Sequence, residues 1–105
     1  ESMYLGKPVI STHWSATSEF LNTDCGLPVN FELIQLKSTW GPYQKGQFWA
    51  EPNIDHAAEQ MLKIKNDPEL AKRIGEKAIE VIETRFAPKV IGNLYEQRLK
   101  AFAMW

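Results

Sequence analysis

Five residues near the start of the chain, Gly6-Lys7-Pro8-Val9-Ile10, constrain the fold more than any others. Gly6 can take the left-handed conformation that ends a helix, and Pro8 just beyond it cannot continue one. Val9 and Ile10 then belong to a run, Pro8–Thr12, too apolar and too short for anything but a covered strand. A polypeptide rarely begins with a helix end and a core strand, and no initiator Met precedes Glu1. A large part of the molecule is therefore expected upstream.

Two halves differ in character. Residues 1–53 read as strands and loops, rich in Gly, Pro, Ser, Thr and aromatic residues, while residues 54–105 carry an almost wholly helical pattern. After the first strand, Ser15 or Thr17 is placed to cap a short helix running to Leu21. Leu27–Asn30 and Glu32–Lys37 read as two further short strands. Ser38 to Asn53 shows no period and is expected to form a long loop, unusual in a compact domain unless packed or functional. Asn53 is a good cap for a helix with Ile54, Ala57, Ala58, Met61 and Leu62 on one face. Asp67-Pro68 is a cap followed by proline at the first helical position, and Pro88 restarts the chain once more. Leu70, Ile74, Ala78 and Ile82 form the second stripe, where Ala71 and Gly75 allow a neighbour to approach closely. Ile91, Leu94, Tyr95, Leu99 and Phe102 form the third. Strand, helix and strand followed by helices predict an α/β fold, the C-terminal half of a doubly wound parallel sheet, followed by an all-helical stretch.

Composition removes several classes of function. A net charge of −1 gives no basic field for nucleic acid and no polybasic patch for anionic lipid. One cysteine, Cys25, excludes an internal disulfide framework and suits a reducing compartment. No run approaches the ~20 apolar residues of a membrane span. With 44% apolar residues in 105, one small core is affordable.

Few residues carry an obvious chemistry. His13 and His56 have no second His, Cys or carboxylate at ligand spacing, so no zinc site is expected. His56 falls in the first turn of a helix and reads as a surface residue. Cys25 reads as a buried, inert thiol, since no activating partner is evident. Glu19 reads as a first-turn helix carboxylate. Gly41-Pro42-Tyr43-Gln44-Lys45-Gly46 lacks the ending and the preceding strand of a phosphate loop. The rings of Trp40, Tyr43, Phe48 and Trp49 are read first as packing that holds the long loop onto the helices, with Trp49 anchoring it. Their alternative use is as a stacking platform for sugars.

The segment Glu1-Ser2-Met3-Tyr4-Leu5-Gly6-Lys7-Pro8-Val9-Ile10 resembles the E-A-M-x-x-G-x-P-V-I segment of retaining, nucleotide-sugar-dependent glycosyltransferases of family 4, which have the GT-B fold. Further matches follow in order. They are Glu19-Phe20-Leu21, Cys25-Gly26-Leu27-Pro28-Val29, Trp49-Ala50-Glu51-Pro52-Asn53, Asn66-Asp67-Pro68-Glu69-Leu70 and Arg85-Phe86-Ala87-Pro88. A glycine pair common in the family is replaced here by small residues within Ser15–Ser18. The resemblance spans nearly the whole chain, and its specificity lies in the ordered set.

It implies the C-terminal portion of the donor-binding domain, in an enzyme that moves a sugar from a nucleotide diphosphate to a glycan or lipid-linked acceptor. Glu1 matches the latter Glu of the family's E-x7-E pattern, which binds the donor ribose; a carboxylate accepts well from vicinal hydroxyls. By the residues alone, Glu1 is a solvated carboxylate. No catalytic residue is expected within the chain, no metal and no cofactor beyond the donor. The implied setting is cytoplasmic, or peripheral at the inner face of a membrane. The implied partners are the N-terminal domain of the same enzyme and, through the last helix, a second copy of the chain. The rival expectation is a non-catalytic carbohydrate-binding or protein-interaction module built on the aromatic loop 40–49.

Overall fold

A computed structural model describes residues 1–102; the final residues of the expected helical part, 103–105, lie outside the described residues. The fold is mixed α/β. In chain order it runs β1 (Ile10–Thr12), α1 (Thr17–Phe20), β2 (Leu27–Val29), β3 (Phe31–Gln35), β4 (Phe48–Pro52), α2 (Ile54–Asn66), α3 (Pro68–Val81), a π-helical turn over Ile82–Phe86, and α4 (Pro88–Ala101). Among these residues no helix is long and apolar enough to cross a membrane.

The opening residues form a single helical turn closed by a Schellman motif. Lys7 N donates to Ser2 O at 3.0 Å, Gly6 N donates to Met3 O at 3.0 Å, and Gly6 sits at φ +68. The chain then enters β1, which pairs in parallel with β2, Ile10 opposite Leu27 and Thr12 opposite Val29. Expected as a covered strand, β1 is only half-buried along its length. Its one strand neighbour is β2, so its other edge has no β partner among the described residues.

The core is small. Met3, Leu21, Cys25 and Ala78 are buried together, with Val9, Phe20, Val81 and Ile82 packed around them. Gly75 on α3 lies directly over the Schellman turn: a methyl group there would stand 2.9 Å from the Gly6 carbonyl carbon. This is the close approach that the small residues of the second stripe predict, and its partner is the turn at Gly6. Gly26 is equally constrained, since a Cβ would come within 2.7 Å of Leu21 Cγ.

Two local expectations are corrected. The stretch from Ser38 to Asn53 is no structureless loop: β3 and β4 form an antiparallel hairpin, Phe31 opposite Pro52 and Gln35 opposite Phe48. Gly41 at φ +55 and Gly46 at φ +90 turn its tip, and Trp40 and Tyr43 exchange backbone hydrogen bonds of 2.8 and 2.9 Å. The short helix α1 starts from Ala16 with no side-chain cap, because the Thr17 and Ser18 hydroxyls donate backwards to Trp14 O and Ser15 O. The inward side of α2 is mixed, with His56, Ala57 and Ile64 half-buried beside Gln60. Ile54 (71% exposed), Met61 and Leu62 face out, while Gln60, only 6% exposed, is its buried residue. The caps at Asn53 and Asp67 form as expected, each accepting from the backbone amide three residues on, His56 N and Leu70 N.

Candidate functional site

Beyond the carboxyl end of β1 the chain makes a short loop, His13–Ala16, and folds α1 back. An open cleft of about 490 Å³ lies between this loop and the hairpin. The β1–α1 side contributes Ser11, Thr12, Trp14, Ser15 and Thr17 to its lining, and the hairpin contributes Tyr43, Phe48, Trp49 and Ala50. Ser15 holds φ +58, a conformation uncommon outside glycine, fixed by the amide and hydroxyl of Ser18, which both donate to its carbonyl.

The rings do not pack the hairpin down as expected. Trp40, Tyr43 and Phe48 (64% exposed) stand out from the surface. Trp49 is half-buried, and the edge of its ring meets Tyr43 at 6.2 Å between centroids, so its anchor is the hairpin itself. Its Nε1 is covered and has no hydrogen-bond acceptor among the described residues. Trp14 lies against Phe31 at 5.3 Å, joining the β1–α1 loop to the base of β3.

Glu1 is exposed at the first residue of the Schellman turn, where its carbonyl accepts from Leu5 N at 3.2 Å. It does not line the cleft. Two other motifs meet although they are far apart in sequence: Arg85 donates to Glu19 O at 3.3 Å, and the Phe20 ring meets Phe86 edge-on at 6.0 Å. The Cys25 thiol is fully buried and donates to Phe20 O at 3.2 Å. Glu19-Phe20 and Arg85-Phe86 thus form a clasp around the core, and the π-helical turn before Pro88 presents the Arg and Phe to it.

His56 does more than sit on the surface. Its Nδ1 accepts from Asn30 N at 2.9 Å, and Asn53 N donates to Asn30 O at 2.8 Å, closing a ring at the base of the hairpin. Gln60 Nε2 donates to Pro28 O at 2.9 Å, while its Oε1 is buried without a partner. Nothing in the linear sequence points to either role. No protein-family model matches the chain, and no curated protein or solved structure is significantly similar to it. The site therefore has to be read from its own chemistry. Among the described residues, no three His, Cys, Asp or Glu side chains gather in a metal-binding arrangement. Glu80 raises the pKa of the Lys77 ammonium by hydrogen bond and charge, in an exposed pair on α3 at 2.8 Å.

Proposed function

We propose that the chain is the C-terminal part of the donor-binding domain of a retaining GT-B glycosyltransferase, in which Glu1 accepts hydrogen bonds from the ribose of a nucleotide-diphosphate sugar. The observation that carries the reading is the unit at the start of the chain. A Schellman-closed turn feeds β1, β1 runs parallel to β2, and the carboxyl end of β1 opens on a cleft. That is the half-unit from which doubly wound nucleotide-binding domains are built, and their ligands sit on that side of the sheet. Glu1 stands in the turn that feeds β1, and its ribose role rests on the resemblance of Glu1–Ile10 to the family segment. The open edge of β1 also suits a sheet that continues with strands outside these residues.

In this reading the catalytic groups and the diphosphate clamp belong to other parts of the enzyme. This chain contributes the ribose carboxylate and the platform that fixes its position. The diphosphate is held without a metal by helix N-termini and basic side chains. The acceptor is a glycan or a lipid-linked saccharide, met in the cytoplasm or at the inner face of a membrane.

The test is made in the enzyme that includes these residues. Charge-assisted hydrogen bonds contribute about 1.5–3 kcal/mol each, so Glu1→Ala should weaken donor binding by about ten- to several-hundred-fold. A 2′,3′-dideoxy donor should bind the wild type and the variant alike. An unchanged donor Kd in Glu1→Ala would return Glu1 to the solvent.

A further inference from the structure

The cleft at the end of β1 has a chemistry that the ribose role of Glu1 does not use. Four hydroxyl residues line it: Ser11 and Thr12, consecutive on β1 with side chains that alternate across the strand, Ser15, held at φ +58, and Thr17, whose hydroxyl donates to Trp14 O and keeps its acceptor capacity. Four rings, those of Trp14, Tyr43, Phe48 and Trp49, line it as well. Phe48 and Tyr43 are largely exposed, and Trp14 is steadied by Phe31. No lining residue carries a charge. The volume, about 490 Å³, falls inside the ~300–1,000 Å³ range of small-molecule sites.

These features select among ligands. A nucleotide could stack on the rings, but its phosphates would find no cation in the lining. A purely apolar ligand would leave the lining hydroxyls without partners. A pyranose has both surfaces: an axial C–H face that lies on an aromatic ring, and a rim of hydroxyls that bonds to Ser and Thr. We propose that this cleft is a subsite for a neutral pyranose, belonging to the glycan that accepts the transferred sugar. The assignment of that sugar to the acceptor rests on the glycosyltransferase reading; the preference for a neutral pyranose rests on the cleft alone.

The experiment is a titration of the 105-residue chain with neutral tetrasaccharides (maltotetraose, cellotetraose and mannotetraose), followed by amide and indole shifts in ¹⁵N-edited spectra. Uridine diphosphate and a uronic-acid tetramer serve as charged comparisons. At least one neutral tetrasaccharide should bind at millimolar concentration and shift the signals of Trp14, Ser15 and Trp49. Phe48→Ala, which removes an exposed ring, should weaken binding several-fold to about tenfold, and Ser15→Ala should also weaken it. Trp40→Ala should leave it unchanged, because Trp40 is exposed but does not line the cleft. The proposal is overturned if no neutral tetrasaccharide binds, if the charged ligands bind as well, or if Trp40→Ala weakens binding as much as Phe48→Ala. Saccharide binding that depends on Phe48, together with an unchanged donor Kd in Glu1→Ala of the longer enzyme, would keep the cleft and remove the transferase reading. The opposite pair of results would remove only the cleft.

Discussion

Gly75 shows how one hydrogen in place of a methyl group decides a contact. Alanine is the better helix former by about 1 kcal/mol, so propensity alone makes Gly75→Ala stabilising. Yet the added methyl would press on the Gly6 backbone, which has no flexible end to move aside. Overpacking of this kind costs about 1–3 kcal/mol, and a backbone neighbour places it at the upper end. The expected net loss is about 2 kcal/mol in urea unfolding. Gly92 on α4 provides the control, since nothing lies within 4 Å of its missing Cβ. Gly92→Ala should gain about 0.5–1 kcal/mol. If both substitutions stabilise, the Gly6–Gly75 contact is not a tight one. Small residues in an apolar stripe made Gly75 legible from sequence. His56 and Gln60 were not, because nothing along a linear chain says that a helix will turn amide and imidazole groups toward strand ends needing hydrogen-bond partners.

At the scale of elements, proline and asparagine marked the helices well, and the hairpin was hidden. Its second strand begins with Phe48-Trp49 and ends at Pro52, and a terminal proline argues against a strand. Its two glycines with positive φ, Gly41 and Gly46, have four residues between them, with Trp40 and Tyr43 bridged at the tip, so no two-residue turn signal appears. The stripe of α2 stays uncovered for a different reason. An amphipathic stripe shows that a helix has an apolar side, but not that this side meets the rest of the same chain. The hairpin also changes what Trp49 should do. Half-buried against Tyr43, it should lose about 2–3 kcal/mol on Trp49→Ala, less than the ~3–5 kcal/mol of a fully enclosed tryptophan. Hydrogen exchange should then quicken at the amides of Leu36 and Gly46, which bond across the hairpin, and not within α2. Opening of α2 along with the hairpin would restore the expectation that Trp49 anchors on that helix.

The whole molecule is thin and open. Its extents are 49 × 43 × 18 Å and its radius of gyration is 17.5 Å, against about 13 Å for a compact chain of this length. Its surface of 8082 Å² exceeds the roughly 6,000 Å² expected for its mass. On α4, Leu94, Tyr95 (68% exposed) and Phe102 face outward, and they join Ile54, Met61 and Leu62 of α2 as uncovered apolar side chains. Each is more than half exposed and forgoes a corresponding share of the about 1.5–3 kcal/mol that full burial contributes. The chain should therefore self-associate in sedimentation at micromolar concentration, and Leu94→Ser with Tyr95→Ser should reduce the association. A clean monomer, with this stripe protected from footprinting reagents, would mean that α4 folds back on its own domain. The same openness bears on activity: incubated with a labelled nucleotide sugar, the chain alone should give neither transfer nor hydrolysis. Turnover at ordinary enzyme rates of about 1–10³ s⁻¹ would place the catalytic groups within it.

The touch between Gly6 and Gly75 also has a consequence in time. The two residues are separated by most of the chain, and the helix that covers the opening turn is made long after the turn itself. On a ribosome adding ~5–20 residues per second, β1 and β2 wait for several seconds before α3 exists to cover that turn. Throughout that interval Met3, Leu21 and Cys25 lack the Ala78 against which they finally pack. The nascent first half is thus the stage at which this protein is most open to chaperones and to misassembly with its neighbours.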